Sequence, residues 1–495
     1  MSGIAVSYGT SDKTELKQML SKLKHRGETS DIIATRNKNI ILGYRSNKLD
    51  SVNHPGTENT FYTDGKINVV CDAQLYEGRQ FKHDNSSFIA RSFLRQGRDC
   101  LKNLDGSYAL AVTDGKSLLV ARDLYGIKPL YYGWHKHNKD VIYFASEIKG
   151  LAEVSVDIQT FPPGHYYMSQ QGFQPLNSQN PRTVIIPDDP HQAAKQVKQL
   201  LIEAVAKHYV PEEHPGILLS GGLDSSILAS SARENNEKVN TFAVGMVGSP
   251  DLEAASLVAR HLGAVHHEYT YTKKEIMQVL PEVIYYLESF DAPLVQSAIA
   301  NYYASKLAAE AGCRSVLCGE GADELFGGYH YVKLMTTPES INEELQKILS
   351  TGHAMGLQRV DRMNNAHSLE ARIPFMCKEI IDFAAATPLN WKIYGQGQIE
   401  KWILRRAFES SLPEKIVWRR KAQFSHGSNC NTIMEEISND LITDEEFKKA
   451  KEQHSHVLLR TKEEYFYYSI FCECFPHDKA TKLVVQWSEL GGDIV

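Results

Sequence analysis

The sequence predicts two domains, an antiparallel sheet-rich first half and an α/β second half built on a doubly wound parallel sheet, and three observations predict this fold class. Between residues 66 and about 168, short β-like runs such as 107–113 and 117–121 are separated by Gly, Asp and Asn. Residues 174–191 carry Pro175, Pro181, Pro187 and Pro190 with Asn and Asp between them, which breaks any periodicity and marks a linker. Beyond it, Val197, Leu200, Leu201, Ala204 and Val205 recur at helical spacing within 192–209. Strand-like runs at 216–219, 241–244 and 315–318 then alternate with helical stretches at 252–262 and 297–311. The expected domains are 1–180 and 190–495.

A chain of 495 residues, 42% apolar and 23% charged, is long enough for two buried cores. Its net charge of -6 comes from interspersed acids and bases, which gives no footprint for nucleic acid or an anionic membrane and favours a small-molecule substrate. No run of about 18 apolar residues occurs, and residues 1–8 lack the basic start and apolar core of a signal peptide, so a cytoplasmic location is expected. The cysteines are scattered without CxxC pairs or metal-ligand spacing and read as buried thiols.

Residues 218–229 place Gly221, Gly222 and the hydroxyls of Ser220, Ser225 and Ser226 where a buried strand hands over to a helix. Glycines there let the backbone approach an anion, which the N–H groups at the helix start bind. Asp224 alone would repel phosphate, so it implies a divalent cation, most simply Mg²⁺, between carboxylate and phosphate. The plainer alternative is a Gly-Gly turn whose helix is capped by Asp224 or Ser225. The string lacks the GxxxxGK[ST] pattern and its lysine, so it points to cleavage of ATP between the α and β phosphates rather than to γ-phosphoryl transfer.

With this loop, the segments Phe242-Ala-Val-Gly245, Ser249-Pro-Asp-Leu252, His261-Leu-Gly-Ala-Val-His-His-Glu268, Cys318-Gly-Glu-Gly-Ala-Asp-Glu-Leu-Phe-Gly-Gly328, Leu369-Glu-Ala-Arg-Ile-Pro-Phe375 and Trp418-Arg-Arg-Lys-Ala-Gln-Phe424 follow in order. In these motifs the chain resembles the asparagine synthetases over nearly its whole length. The resemblance implies ATP and Mg²⁺ as cofactors, with Ser220, Gly221, Gly222, Asp224, Ser225 and Ser226 around the pyrophosphate. It places Leu219, Val244 and Gly319 in the nucleotide pocket and Asp224 and Asp323 on the metal. Lys421 would neutralise charge on the leaving pyrophosphate, and Glu320 would take a proton from the attacking amine. Each has a structural alternative: Glu320 and Asp323 as helix-start carboxylates, Lys421 as a solvated base. Glu370 and Arg372 read as a structural ion pair.

The first half resembles the family's glutaminase domain, an αββα sandwich of the N-terminal-nucleophile hydrolase type, through His25-Arg-Gly-Glu28 and the segments 105–111, 121–130 and 144–149. Glutamine hydrolysis in that fold needs a cysteine directly after the initiator methionine, and Ser2 stands there. The family's Asn-Gly-Glu segment is Asp72-Ala73-Gln74 here, which puts a carboxylate where an oxyanion should be stabilised. Loss of glutaminase activity is the expectation, with Arg45 a vestige of a glutamine-binding arginine.

The second half also departs. Gln296 takes the place of an arginine that holds aspartate in the family, and His426 replaces an aspartate. Losing the charge-assisted contact forfeits about 1.5–3 kcal/mol. The β-lactam synthetases are similar relatives that lack the cysteine and close an amine onto the adenylated carboxylate of the same molecule. Glu320 departs from their tyrosine, and Asp361 falls near the glutamate that pairs with it. Three functions follow: intramolecular amide formation, which the altered pocket favours; ammonia-dependent synthesis of asparagine or a similar amide; and a nucleotide-binding pseudoenzyme. The expected partner is a small amino acid or amino-carboxylate, and a homodimer is compatible with these features.

Overall fold

The computed structural model of the protein describes residues 2–10, 12–35, 39–47, 60–76, 84–176, 184–395, 398–421, 427–475 and 478–487. Part of the predicted linker, and His426, lie outside them. The chain divides into two compact units, Met1–Pro181 with Phe475–Leu483, and Arg182–Cys474 with Val484–Val495. The sequence gives no sign that residues near 475 return to the first unit.

The first unit contains β1 (Ser2–Tyr8), β2 (Thr29–Ala34), β3 (Ile40–Ser46), β4 (Phe61–Thr63), β5 (Asn68–Leu75), β6 (Gly106–Thr113), β7 (Leu118–Arg122), β8 (Tyr131–His135), β9 (Ile142–Ala145), β10 (Ser155–Thr160), β11 (His165–Met168) and β12 (Gly172–Pro175). They form two antiparallel six-stranded sheets, in the orders β10-β8-β9-β1-β3-β2 and β12-β11-β7-β6-β5-β4. Side chains alternate along each strand. On β6, Ala109 and Ala111 join Ile4, Val6, Leu42, Val70 and Phe144 between the sheets, whereas Tyr108, Leu110 and Val112 face the other way, toward Ile89 and Ala90. Those last two belong to a helix, Asn85–Gln96, that packs on β5, while the helix Lys13–Lys22 packs on β1 and β3 of the other sheet. The result is the αββα sandwich of the fold expected from sequence.

In the second unit, β13 (Gly216–Leu218), β14 (Asn240–Gly245), β15 (Val265–Thr270), β16 (Ser315–Leu317) and β17 (Glu370–Arg372) form a wholly parallel sheet in the order β15-β14-β13-β16-β17. Helices α1 (Pro190–His208), α2 (Leu223–Asn235), α3 (Pro250–Leu262), α4 (Ala292–Glu310), α5 (Gly356–Asn365) and α6 (Lys462–Cys474) surround it. Local chemistry starts several of them. Asp189 caps α1 with Pro190 in its first turn, and Ser249 caps α3 ahead of Pro250. Strand β15, Val-His-His-Glu-Tyr-Thr, sits at the sheet edge with mixed exposure, so no apolar run announced it. Six cysteines are buried, while Cys472 and Cys474 are half-buried. Among the described residues no helix is long and apolar enough to cross a membrane.

Candidate active site

The chain runs outward from β13 to β14 and β15 on one side, then returns to place β16 on the other. The strand order therefore reverses between β13 and β16, and ligands of such sheets bind where neighbouring strand ends part. There the chain leaving β13 turns into α2, and the chain leaving β16 turns into the short helix Ala322–Phe326. A cavity of about 480 Å³ opens at this point, with Leu219, Ser220, Gly222, Asp224, Ser225, Val244, Gly319, Glu320, Asp323 and Lys421 all in its lining.

The turn into α2 is built for close approach. Gly221 has φ +67°, and a Cβ there would collide with Ala254 and Ala255. Gly222 begins α2 without any side-chain cap, so neither Asp224 nor Ser225 plays the capping role of the plainer reading, and the N–H groups of the first turn remain available to an anion. Ser220 N–H donates to Ser225 Oγ at 3.2 Å, which points both serines into the cavity rim.

Charges meet beyond this turn. Lys401 Nζ lies 2.6 Å from Asp224 Oδ2 and 2.6 Å from Asp323 Oδ1, and Lys421 Nζ is 2.6 Å from Asp323 Oδ2. Burial alone would raise the Asp323 carboxyl, but the two ammonium groups outweigh it and hold it well below the usual range. Burial likewise opposes charge on Lys421, yet Asp323 and Asp224 push its ammonium above the ordinary lysine value. Lys401 is only 2% exposed along its side chain and adopts φ 53°, a left-handed conformation costly to a non-glycine residue. Gly328 makes room for it, since a Cβ there would strike Asp323 Oδ1 and Lys401 Cε. Further along the wall, Arg359 donates to Glu320, and Arg419 bonds Asp251 at 2.8 Å.

The first unit holds a separate buried cluster. Ser2 Oγ donates to Asp72 Oδ1 at 3.0 Å, Arg26 Nη1 reaches Asp72 Oδ2 at 3.2 Å, and Lys128 Nζ reaches Asp72 Oδ1 at 3.2 Å. Arg26 also pairs with Glu147, as do Lys149 and His25. Arg45 donates to the backbone carbonyls of Leu20, Gly27 and Glu28.

Comparison with known proteins finds matches at both ends of the chain. Residues 196–346 and 333–490 match the family described as asparagine synthase, and residues 1–185 match the glutamine amidotransferase domain. The chain belongs to the asparagine synthetase family. It is 33% identical to asparagine synthetase B (glutamine-hydrolyzing) of Escherichia coli K12, over 96% of this chain and 91% of that protein. It is 31% identical to the glutamine-hydrolyzing asparagine synthetase of Zea mays, covering 97% and 86%, and 32% identical to a probable asparagine synthetase of Schizosaccharomyces pombe, covering 96% and 92%.

Asparagine synthetases are amide-forming ligases that use ATP with Mg²⁺. The residues present fit both. Asp224 Oδ1 is buried with no hydrogen-bond partner, an orphaned acceptor open to a cation. A Cβ added at Gly319 would come 3.1 Å from Asp224 Cβ and 3.2 Å from Ser225 N, filling the cradle. Among the described residues no group of three or more acids, His or Cys could hold a metal. Two carboxylates suffice for Mg²⁺, which keeps water and phosphate oxygens as its other ligands.

Three residues expected at the site are not in the cavity lining: Gly221, which shapes the turn, Ser226 and Asp361. Ser226 is fully buried outside the cavity lining, and its hydroxyl donates to Gly222 O at 2.7 Å, where it braces the turn; the Ser225 hydroxyl makes the same contact at 3.2 Å but lines the cavity. Asp361 is not among the residues lining the cavity. It is buried on α5, where its carboxylate accepts from Arg362 and Asn365. Arg372 is buried and reaches Glu213 at 2.6 Å and His208 O at 2.6 Å, a structural role like the one read for it with Glu370. The sequence did not single out Lys401, Arg359 or Asp251. Asp251 sat inside a quoted motif, but Lys401 and Arg359 are lone bases whose burial and partners, 177 and 39 positions away, leave no local signal.

Proposed function

We propose that this asparagine synthetase family member joins a carboxylate to an amine with ATP while making no use of glutamine. The favoured form closes an amine onto a carboxylate of the same molecule, as β-lactam synthetases do. The observation that carries the loss of glutamine use is the hydrogen bond from Ser2 Oγ to Asp72. Hydrolysis needs a free nucleophile facing donors that stabilise an oxyanion, and here the hydroxyl is engaged by a carboxylate that offers only acceptors. Arg26 and Lys128 fix that carboxylate in place, and Arg45 is committed to backbone carbonyls, both of which support a structural role for the first unit.

In the second unit, bound ATP and Mg²⁺ supply the adenylyl group that activates the carboxylate. Ser220, Ser225 and the uncapped N–H groups of α2 grip the phosphate chain. Asp224 and Asp323 would hold the metal, and Lys421 with Lys401 would balance negative charge on the leaving pyrophosphate. Glu320 takes the proton from the attacking amine, oriented by Arg359. Leu219, Val244 and Gly319 line the nucleotide side.

Glu320 also favours a second reading, ammonia-dependent synthesis of asparagine or a similar amide. The test supplies purified protein with ATP, Mg²⁺ and candidate amino-carboxylates, with and without ammonium or glutamine. Pyrophosphate release with a product lighter than substrate by one water supports cyclisation, and incorporation of ammonium nitrogen supports the second reading. Glutamine serving as nitrogen donor would sink the proposal.

A further inference from the structure

The cavity's wall on α4 carries Pro293, Leu294, Gln296 and Ser297. Gln296 Nε2 lies 2.8 and 3.0 Å from the two carboxylate oxygens of Glu463 at the start of α6, and the Tyr467 hydroxyl donates to the same carboxylate at 2.6 Å. The amide nitrogen is therefore the end turned to Glu463, and the amide oxygen faces away from it. Gln296 Oε1 is then left without a partner among the described residues, and it is absent from the buried unsatisfied atoms, so it is accessible. The wall therefore presents an acceptor.

Charge points the same way. Behind the wall, Asp291 and Glu464 stand against the guanidinium of Arg460. Among the described residues that line the cavity, the lysines and arginines are Lys401, Arg405, Arg419, Arg420, Lys421 and Arg359. The first five belong to the phosphate-side segment, and Arg359 is paired with Glu320. A carboxylate laid against Gln296 would meet a lone pair and a net negative background. An ammonium would meet an acceptor and a favourable field.

We propose that Gln296 selects a substrate carrying an amine where aspartate carries its second carboxylate, so that the acid activated here is an amino-carboxylate held through its amine by the Gln296 amide oxygen. This deepens the functional reading above and rests on its assignment of the cavity. Gln296 acts as a specificity-determining residue, with Glu463 and Tyr467 positioning it.

The test titrates the protein, saturated with α,β-methylene-ATP and Mg²⁺, with L-2,3-diaminopropionate and L-aspartate, which differ only in the group on the β-carbon. Diaminopropionate is expected to bind about tenfold or more tighter, as a charge-assisted hydrogen bond commands. Gln296→Arg should invert the order, and Gln296→Leu should weaken diaminopropionate about tenfold while leaving affinity for the nucleotide analogue, and hence the fold, unchanged. Tighter aspartate binding, no binding of either acid, or an order that Gln296→Arg leaves unaltered overturns the proposal. Binding in the expected order without pyrophosphate exchange on any amino-carboxylate would leave this proposal standing and remove the adenylation reading alone.

Discussion

Replacing Glu463 with glutamine should change how stability depends on pH, by an amount the structure sets. The side chain is 6% exposed, and burial pushes its carboxyl from 4.5 up to about 7 despite the hydrogen bonds from Tyr467 and Gln296. In the unfolded chain it titrates near 4.5. Between these values the folded protein keeps a proton that the unfolded chain has released, so raising pH through this window destabilises the fold. At about 1.4 kcal/mol per unit, a gap of about 2.5 units is worth on the order of 3 kcal/mol. Glu463→Gln keeps the shape and removes the titration. Relative to wild type, the variant should gain about 3 kcal/mol between pH 4.5 and 7 and stay level beyond. Hydrogen exchange along α6, measured on both proteins across that range, follows the unfolding free energy of the second unit itself. Two parallel pH profiles would show that Glu463 does not titrate there, and the reasoning about its burial would fail.

Asp224→Asn should lower pyrophosphate exchange at least about 100-fold with little change in melting, because the negative charge that would hold the cation is lost while Lys401 keeps Asp323. Lys401→Met leaves Asp224 without its ammonium partner and Asp323 with Lys421 alone, and should cost about 3–5 kcal/mol in metal-free buffer. Millimolar Mg²⁺ should restore part of that loss, and a melting curve indifferent to both changes would mean the acids do not share a site. Ser2→Cys alone should release no glutamate from glutamine, whereas Ser2→Cys with Asp72→Asn should begin to. Hydrolysis by the single variant would show that Asp72 is no obstacle.

Local patterns in the sequence foretold much of this. The runs at 216–219, 241–244 and 315–318 became β13, β14 and β16 because fully buried parallel strands are continuously apolar, and the helical stretch 252–262 became α3 because a Ser-Pro start and apolar spacing are local features. The glycine loop was readable for the same reason. Which hydroxyl reaches the cavity was not: Ser225 and Ser226 are neighbours and both donate to Gly222 O, yet only Ser225 lines the cavity while Ser226 is fully buried. Pairings across long stretches were also hidden, such as Gln296 with Glu463, 167 positions apart, and Ser2 with Asp72, 70 apart. The sequence showed a carboxylate in the wrong place at Asp72; only the fold tied it to Ser2.

The return of Phe475–Leu483 to the first unit bears on how the protein is made. Phe475 and Ala480 are buried, and the helix Asp478–Thr481 packs on β10. Roughly 300 residues separate this segment from the rest of its unit, or about 15–60 s of synthesis at ~5–20 residues per second. Throughout that interval the nascent sandwich waits on the ribosome with one apolar seam unsealed, so this piece of its core arrives only after residues 182–474 have been made.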